Sequence, residues 1–205
     1  MMKKFKKLDE EFFAQFKKLL KFKRNQVIMG PGGKPLGTFF IKSGFVRQYL
    51  ISEDGKEFTF NIYKPNTYFS MTCLLNNTPN IHYYESLTDT VLLRAPNDGV
   101  IKHIENNPGI IYDLVKRTLS RLDGVTRLME ALFTGNAKQQ ISSVLLVLVR
   151  RFGKKNNGKG FTINIALTHR IIGTLAGLSR ESTSIVLETL EKENVISQKK
   201  SFYIG

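Results

Sequence analysis

The side chains with the clearest chemical purpose stand near the C-terminus, where Ser179, Arg180 and Glu181 open a run of helix-forming residues. A serine ahead of such a run accepts the unpaired amides of a first helical turn. The arginine and glutamate behind it then stand side by side on the outer face of that turn. An arginine fork matches the O6 and N7 edge of guanine, and a carboxylate accepts from the N4 amine of cytosine. Ser184 and Ile185 follow one turn later, and the isoleucine is of a type that meets a thymine methyl. These groups suit the reading of base edges rather than covalent chemistry.

Other chemistries are weakly represented. The chain shows no nucleophile motif, no paired catalytic carboxylates and no phosphate-cradling glycine loop, which argues against an enzyme. His82, His103 and His169 are scattered without ligand spacing, so no metal and no cofactor are expected. Cys73 is the single cysteine, which excludes a disulfide framework or a cysteine-held cluster. Phe60, Met71, Cys73, His82 and Tyr83 fall in an aromatic-rich zone and form a candidate effector pocket for a small apolar or aromatic ligand. Plain core packing is the weightier reading of the same residues.

Holding Arg180 and Glu181 outward requires two short helices. Thr168 can cap the first, with Ile171, Ile172 and Leu175 facing inward. Gly173 and Ala176 are small where two helices must approach, Gly177 suits a left-handed end, and Leu178 plugs the turn. On the second helix Thr183, Val186, Leu187 and Leu190 share the buried side. Arg180, Glu181, Ser184 and Glu188, with Ile185 beside them, share the other. The stretch from Leu167 to Leu190 therefore reads as a helix-turn-helix, followed by a hairpin from Gln198 to Ile204.

Upstream, a helix starts near Pro108. Its residues Ile111, Val115, Thr118, Leu122, Val125, Met129 and Leu132 alternate spacings of 4 and 3, a heptad seam. So narrow a seam suits a partner helix, and a symmetric parallel dimer is expected. Ile141, Val144, Leu145, Leu148, Val149 and Phe152 mark a further buried stripe. A basic loop, Lys154 to Gly160, and a strand, Phe161 to Ile165, follow it. Residues 25–100 read instead as short strands: Thr38 to Ile41, Phe45 to Ile51, Phe58 to Tyr63 and Thr88 to Leu93. Asp54-Gly55 signals a hairpin between the second and third, with Phe58, Phe60 and Ile62 on one face.

Charge supports an anionic partner. With 31 Lys+Arg against 17 Asp+Glu, the net charge is +14 over 205 residues. Two blocks carry most of it. Residues 1–24, read as an N-terminal helix, hold nine basic and three acidic groups, and residues 131–160 hold six basic and none acidic. The first reads as a solvated face. In the second, Arg150, Arg151, Lys154 and Lys155 are candidate phosphate contacts. No stretch approaches 18 apolar residues, so a transmembrane helix is excluded, and no membrane partner is expected. The N-terminus lacks a signal-peptide core, and a cytoplasmic location is expected.

The run Gly177-Leu-Ser-Arg-Glu-Ser182, with Leu187-Glu-Thr-Leu-Glu-Lys-Glu-Asn-Val-Ile196, resembles the catabolite-activator and fumarate-nitrate regulator (Crp/Fnr) superfamily. Gly44-Phe-Val-Arg-Gln-Tyr49 and Asp54-Gly-Lys-Glu57 resemble its β-roll, and the heptad helix its dimer helix. The resemblance implies an α+β fold: a cyclic-nucleotide-binding-like β-roll with an N-terminal helix at 1–107, a dimerisation helix at 108–134, and a winged helix-turn-helix at 135–205. It implies a homodimeric regulator on double-stranded DNA, with RNA polymerase and a small-molecule effector as further partners. Arg180 and Glu181 would contact bases, Ser179 a phosphate, and Thr168 and His169 the flanking backbone. The Gln198 to Ile204 hairpin, with Lys199, would be the wing.

Two departures qualify this. Many members carry a second arginine where Ser184 and Ile185 stand, so the site preference should differ. Cyclic-nucleotide-binding members also have Gly-Glu and Arg-Ser pairs in the phosphate turn, where residues 69–84 offer Ser70-Met71 and Ile81-His82-Tyr83. Without an arginine there is no bidentate group for a cyclic phosphate, and cyclic AMP binding is not expected. A reading of another class is a ligand-binding β-barrel module whose helical tail binds a partner, without specific DNA binding.

Overall fold

The computed structural model describes residues 10–16, 19–156, 160–165, 167–198 and 202–204. They fall into two compact units divided after Thr118. Residues 10–14 are helical (α1). The first unit continues with β1 (Leu19–Phe22), β2 (Val27–Met29), β3 (Thr38–Ser43), β4 (Val46–Ile51), β5 (Glu57–Tyr63) and β6 (Tyr68–Phe69). After these come α2 (Met71–Leu75), β7 (Tyr83–Ser86), β8 (Thr90–Ala95) and α3 (Asn97–Glu105). The long helix α4 (Pro108–Thr134) begins in this unit.

Two four-stranded sheets form the roll, ordered β1-β8-β3-β6 and β2-β7-β4-β5. Phe39, Ile41, Phe69 and Leu92 of the first pack with Val46, Tyr63 and Tyr84 of the second. The other face of β3 is buried too, because Phe40 joins Phe13, Leu93, Ala95 and Val100, with Leu114 of α4 packed against them. A strand buried on both faces loses the apolar–polar alternation, which is why Phe39-Phe40-Ile41 is a continuous apolar run. Burying each such side chain contributes about 1.5–3 kcal/mol.

The Asp54-Gly55 hairpin is present, with Gly55 at φ +78 and Ser52 and Lys56 closing the turn. The facing expected for β5 is corrected, however. The pairing shifts between Gln48 and Tyr49, so that Ile62 pairs with Arg47 and Phe58 with Leu50. Those two β4 positions differ in parity, so Phe58 and Ile62 point to opposite faces, and Phe60 is left in the bulge. A second correction concerns the N-terminal basic block. Residues 19–22 are not helical but form β1, paired antiparallel with β8.

The second unit holds α5 (Ala137–Phe152), β9 (Gly153–Lys155), β10 (Phe161–Ile163), α6 (His169–Ala176), α7 (Arg180–Lys192), β11 (Ile196–Gln198) and β12 (Phe202–Ile204). Asn136 and Gln139 form a reciprocal capping box that fixes the start of α5. Its expected stripe is buried at Ile141, Val144, Leu145 and Leu148. The small sheet runs β11-β12-β10-β9, so Lys154 and Lys155 lie on an edge strand rather than in a loop. Lysines are common on such edges, where their charge discourages pairing with another chain.

Along α4, Ile110 and Asp113 are buried, and Asp113 pairs with Arg117 one turn later. Ile111, Val115, Thr118, Leu122, Val125 and Met129 of the seam are exposed, while Leu132 is half-buried. Among the described residues no helix is long and apolar enough to cross a membrane.

Candidate nucleic-acid interface

The geometry that presents Arg180 is built from its turn. Thr168 Oγ1 accepts the amide of Ile171 and starts α6. Gly177, at φ +66, ends it in the left-handed region and donates its amide to the Gly173 carbonyl. A Cβ on Gly173 would stand 2.7 Å from Thr183 Oγ1 and 2.9 Å from the Leu178 carbonyl. Glycine is therefore required where α6 and α7 cross. Ser179 Oγ accepts the Ser182 amide at 3.1 Å and caps α7. The capped turn leaves Arg180 and Glu181 exposed at the helix N-terminus.

Glu181 is held below the usual carboxylate range, chiefly by its own backbone amide and then by the Ser179 hydroxyl. It is thus an acceptor-only group at neutral pH, which is the form that can take a hydrogen bond from a cytosine amine. Ile185 is exposed. Ser184, by contrast, is half-buried: its hydroxyl donates to the Arg180 carbonyl at 2.9 Å and lies 2.8 Å from Nδ1 of His169. His169 and Ser184, expected as separate DNA contacts, are therefore joined to each other across α6 and α7.

The basic candidates divide. Lys154 and Lys155 are exposed on β9. Arg151 lies with its guanidinium 5.0 Å from the centroid of the Phe152 ring. Arg150 lines a cleft of about 300 Å³ with Arg127, Glu130, Thr134 and Leu146. The wing strands β11 and β12 pair as an antiparallel hairpin, but Lys199 lies outside the described residues.

In the roll, the candidate effector residues meet different neighbours. Phe60 and His82 meet edge to face at 5.2 Å, Tyr83 stacks on Tyr49, and Met71 packs beneath Phe40 and its neighbours. Cys73 sits on α2 with its Sγ 3.8 Å from the Pro79 carbonyl, and burial pushes its thiol up from the usual range. A thiol so placed is a poor nucleophile. A cleft of about 250 Å³ in the roll is lined by Ile28, Met29, Lys34, Leu36, Phe39 and Arg94. Among the described residues no group of His, Cys, Asp or Glu is placed to hold a metal ion.

The turn between α2 and β7 is filled from within. Asn80 is 1% exposed. Its amide donates to the Gly30 carbonyl at 2.6 Å and the His82 carbonyl at 2.7 Å, and its Oδ1 accepts the His82 amide. Ser70 Oγ donates to the Gly37 carbonyl. Arg47 is 1% exposed, bonded to Glu57 at 2.7 Å, and its guanidinium lies 3.8 Å over the Tyr49 ring. An arginine between two strands carrying Glu57 and Glu85 is its signal in the sequence.

Residues 19–107 match the cyclic nucleotide-binding domain, and residues 139–204 match the Crp-like helix-turn-helix domain. The chain belongs to the Crp/Fnr family of transcription regulators. It is a DNA-binding regulator, and proteins of this family are not enzymes. The global nitrogen regulator of Nostoc is 28% identical over 181 residues, covering 87% of this chain and 81% of that protein. The cyclic AMP receptor protein of Thermus thermophilus is 25% identical over 174 residues, or 81% of this chain and 77% of that one. A CooA mutant from Carboxydothermus hydrogenoformans shares the fold, with a TM-score of 0.75 at 20% identity over 91% of this chain and 82% of that chain. In Crp/Fnr terms, α6 and α7 are the helix-turn-helix and β9 to β12 the winged sheet.

Proposed function

We propose that this Crp/Fnr regulator works as a cytoplasmic homodimer, joined along α4, that places α7 in the major groove of a two-fold symmetric duplex site. The exposed seam of α4 carries the reading. Ile111, Val115, Leu122, Val125 and Met129 are 40–58% exposed at heptad spacing, which leaves an apolar stripe in water unless a second helix covers it. Two joined reading helices then fit half-sites about one helical turn apart. Arg180 and Glu181 contact bases, Ser179 and the Thr168–His169 turn contact phosphates, and the β9 lysines with Arg150 and Arg151 add further phosphate contacts. The chain performs no catalysis and needs no resident cofactor. RNA polymerase is its downstream partner.

The roll serves as a sensor whose effector is not a cyclic nucleotide. Asn80 stands in the phosphate turn and ties it to Gly30 and His82, and residues 69–84 carry no arginine to pair with a cyclic phosphate. Sedimentation and duplex binding test the assembly together. Leu122→Lys should convert a dimer to monomers that bind DNA poorly, and a wild-type monomer at micromolar concentration would refute it. Calorimetry with cyclic AMP and cyclic GMP at millimolar concentration should give no saturable heat.

A further inference from the structure

We propose that Ile185 sets the operator preference of this protein by recognising the 5-methyl group of a thymine in the major groove. The inference deepens the reading of α7 given above and rests on it. Single exposed apolar side chains are common and need no explanation by themselves. Three observations separate this one.

The first is position. Helix α7 buries Thr183, Leu187 and Leu190, and leaves Glu181, Ser182, Glu188 and Thr189 exposed. Ile185, four residues after Glu181 and three before Glu188, sits at the middle of that outer face. It is 66% exposed and is the one large hydrophobic side chain that α7 turns to solvent.

The second is what happens to its neighbour. Ser184 would be the natural hydrogen-bonding reader at this level of the helix. Its hydroxyl is already committed to the Arg180 carbonyl at 2.9 Å and faces Nδ1 of His169 at 2.8 Å. The turn of α7 beyond Arg180 and Glu181 therefore meets a base through Ile185 rather than through a polar group.

The third is chemistry. A β-branched side chain in a helix keeps essentially one χ1 rotamer, so its methyl groups have a fixed direction. Isoleucine has no donor or acceptor. Opposed to a guanine or cytosine edge, it would strip water from groups that then lack a partner. The thymine methyl is the apolar feature of the major-groove edges, and only there does contact leave nothing unpaired. Ile185 lies five residues beyond Arg180, a rise of roughly 7.5 Å, or about two base-pair steps. The half-site should thus hold a guanine for Arg180 and, about two pairs away, a thymine for Ile185.

The test begins with selection of sites from random duplex DNA by the full-length protein. Each thymine of the selected half-site is then replaced singly by deoxyuridine, which removes only the methyl group. One thymine per half-site should prove sensitive, with binding weakened about fourfold, the worth of one buried methyl-sized group. Replacement in both half-sites should cost about sixteenfold. Ile185→Ser, an exposed substitution that should leave thermal unfolding unchanged, should bind thymine and deoxyuridine sites equally. The inference is overturned if tight, sequence-specific binding survives every replacement, or if the sensitivity persists in Ile185→Ser. If no sequence is selected at all, the reading of α7 as a base-reading helix falls, and this inference with it.

Discussion

Nδ1 of His169 lies 2.8 Å from the hydroxyl of Ser184, a contact between the first turn of α6 and the middle of α7. The Ser184 proton goes to the Arg180 carbonyl, so the hydroxyl accepts from the ring and Nδ1 carries the hydrogen. The bond braces the two helices at the end where Arg180 emerges. Its worth can be read as a coupling. His169→Ala and Ser184→Ala should each destabilise the chain, and the double substitution should cost less than their sum by about 0.5–1.5 kcal/mol in denaturant unfolding. Strictly additive losses would show that the contact contributes nothing.

Arg47 is a buried charge held between two carboxylates of the roll. Its Nη2 meets Glu57 at 2.7 Å, while its Nε lies 3.8 Å from Glu85, near enough for attraction but too far for a hydrogen bond. The two carboxylates are only 19% and 18% exposed. Arg47→Ala leaves both without their cation and should destabilise by about 3–5 kcal/mol in urea. Combining Arg47→Met with Glu57→Gln and Glu85→Gln removes the charges together and should recover most of that loss. A triple variant as unstable as Arg47→Ala would show that volume, rather than charge, is what matters here.

Two histidines in the roll should make its stability depend on pH. Burial lowers His82 and His103 from the ordinary value of 6.5. His103 also stacks on Phe12 with ring centroids 4.0 Å apart. Below pH 6.5 the unfolded chain takes up protons that the folded chain refuses, so stability is complete above that pH and falls as pH drops toward the lowered folded values. His103→Phe keeps an aromatic ring against Phe12 and should flatten the loss, as should His82→Asn. Melting temperatures of wild type and variants between pH 7.5 and 5, about the window in which an unperturbed histidine titrates, check this. A wild type whose melting temperature is unchanged over that range contradicts it.

The elements that could be read in advance were those whose local chemistry and tertiary role agree. Thr168, Gly177 and Ser179 are cap residues that serve as caps, and Asp54-Gly55 forms the turn its φ preference favours. The heptad spacing of α4 likewise shows in the sequence because a helix imposes it directly. Strand β1 was hidden because Leu19-Leu-Lys-Phe22 lies in a lysine-rich stretch with no strand signal of its own; pairing with β8 makes it one. Strand β9 is Gly-Lys-Lys, held by its place beside β10. The β5 bulge and the His169–Ser184 bond depend on which side chains meet across elements, and periodicity within one element carries no record of that. The same limit applies to the candidate effector residues. Phe60, Met71, Cys73, His82 and Tyr83 are near in sequence, yet alternate strand faces and α2 send them to different neighbours.

Arg180 and the pair Lys154–Lys155 should fail in different ways. Arg180 is exposed on the first turn of α7, where a helix entering the major groove comes closest to the base edges. If its fork meets guanine O6 and N7, Arg180→Ala should cost about 1–3 kcal/mol on the selected site and relax preference at one base pair in each half-site. Binding to random duplex should change little. Lys154 and Lys155 lie on the edge strand β9, away from the reading helix in sequence, and their flexible ammonium groups suit phosphates. Replacing both by alanine should weaken selected and random DNA by a common factor. It should also reduce the slope of log affinity against log salt by up to about two per protomer, because each lost phosphate contact releases about one counterion fewer. Titrations of the two variants on both duplexes, each at several salt concentrations, separate the roles. A common factor for Arg180→Ala would make Arg180 a phosphate contact, and base reading would then fall to Glu181 and Ile185.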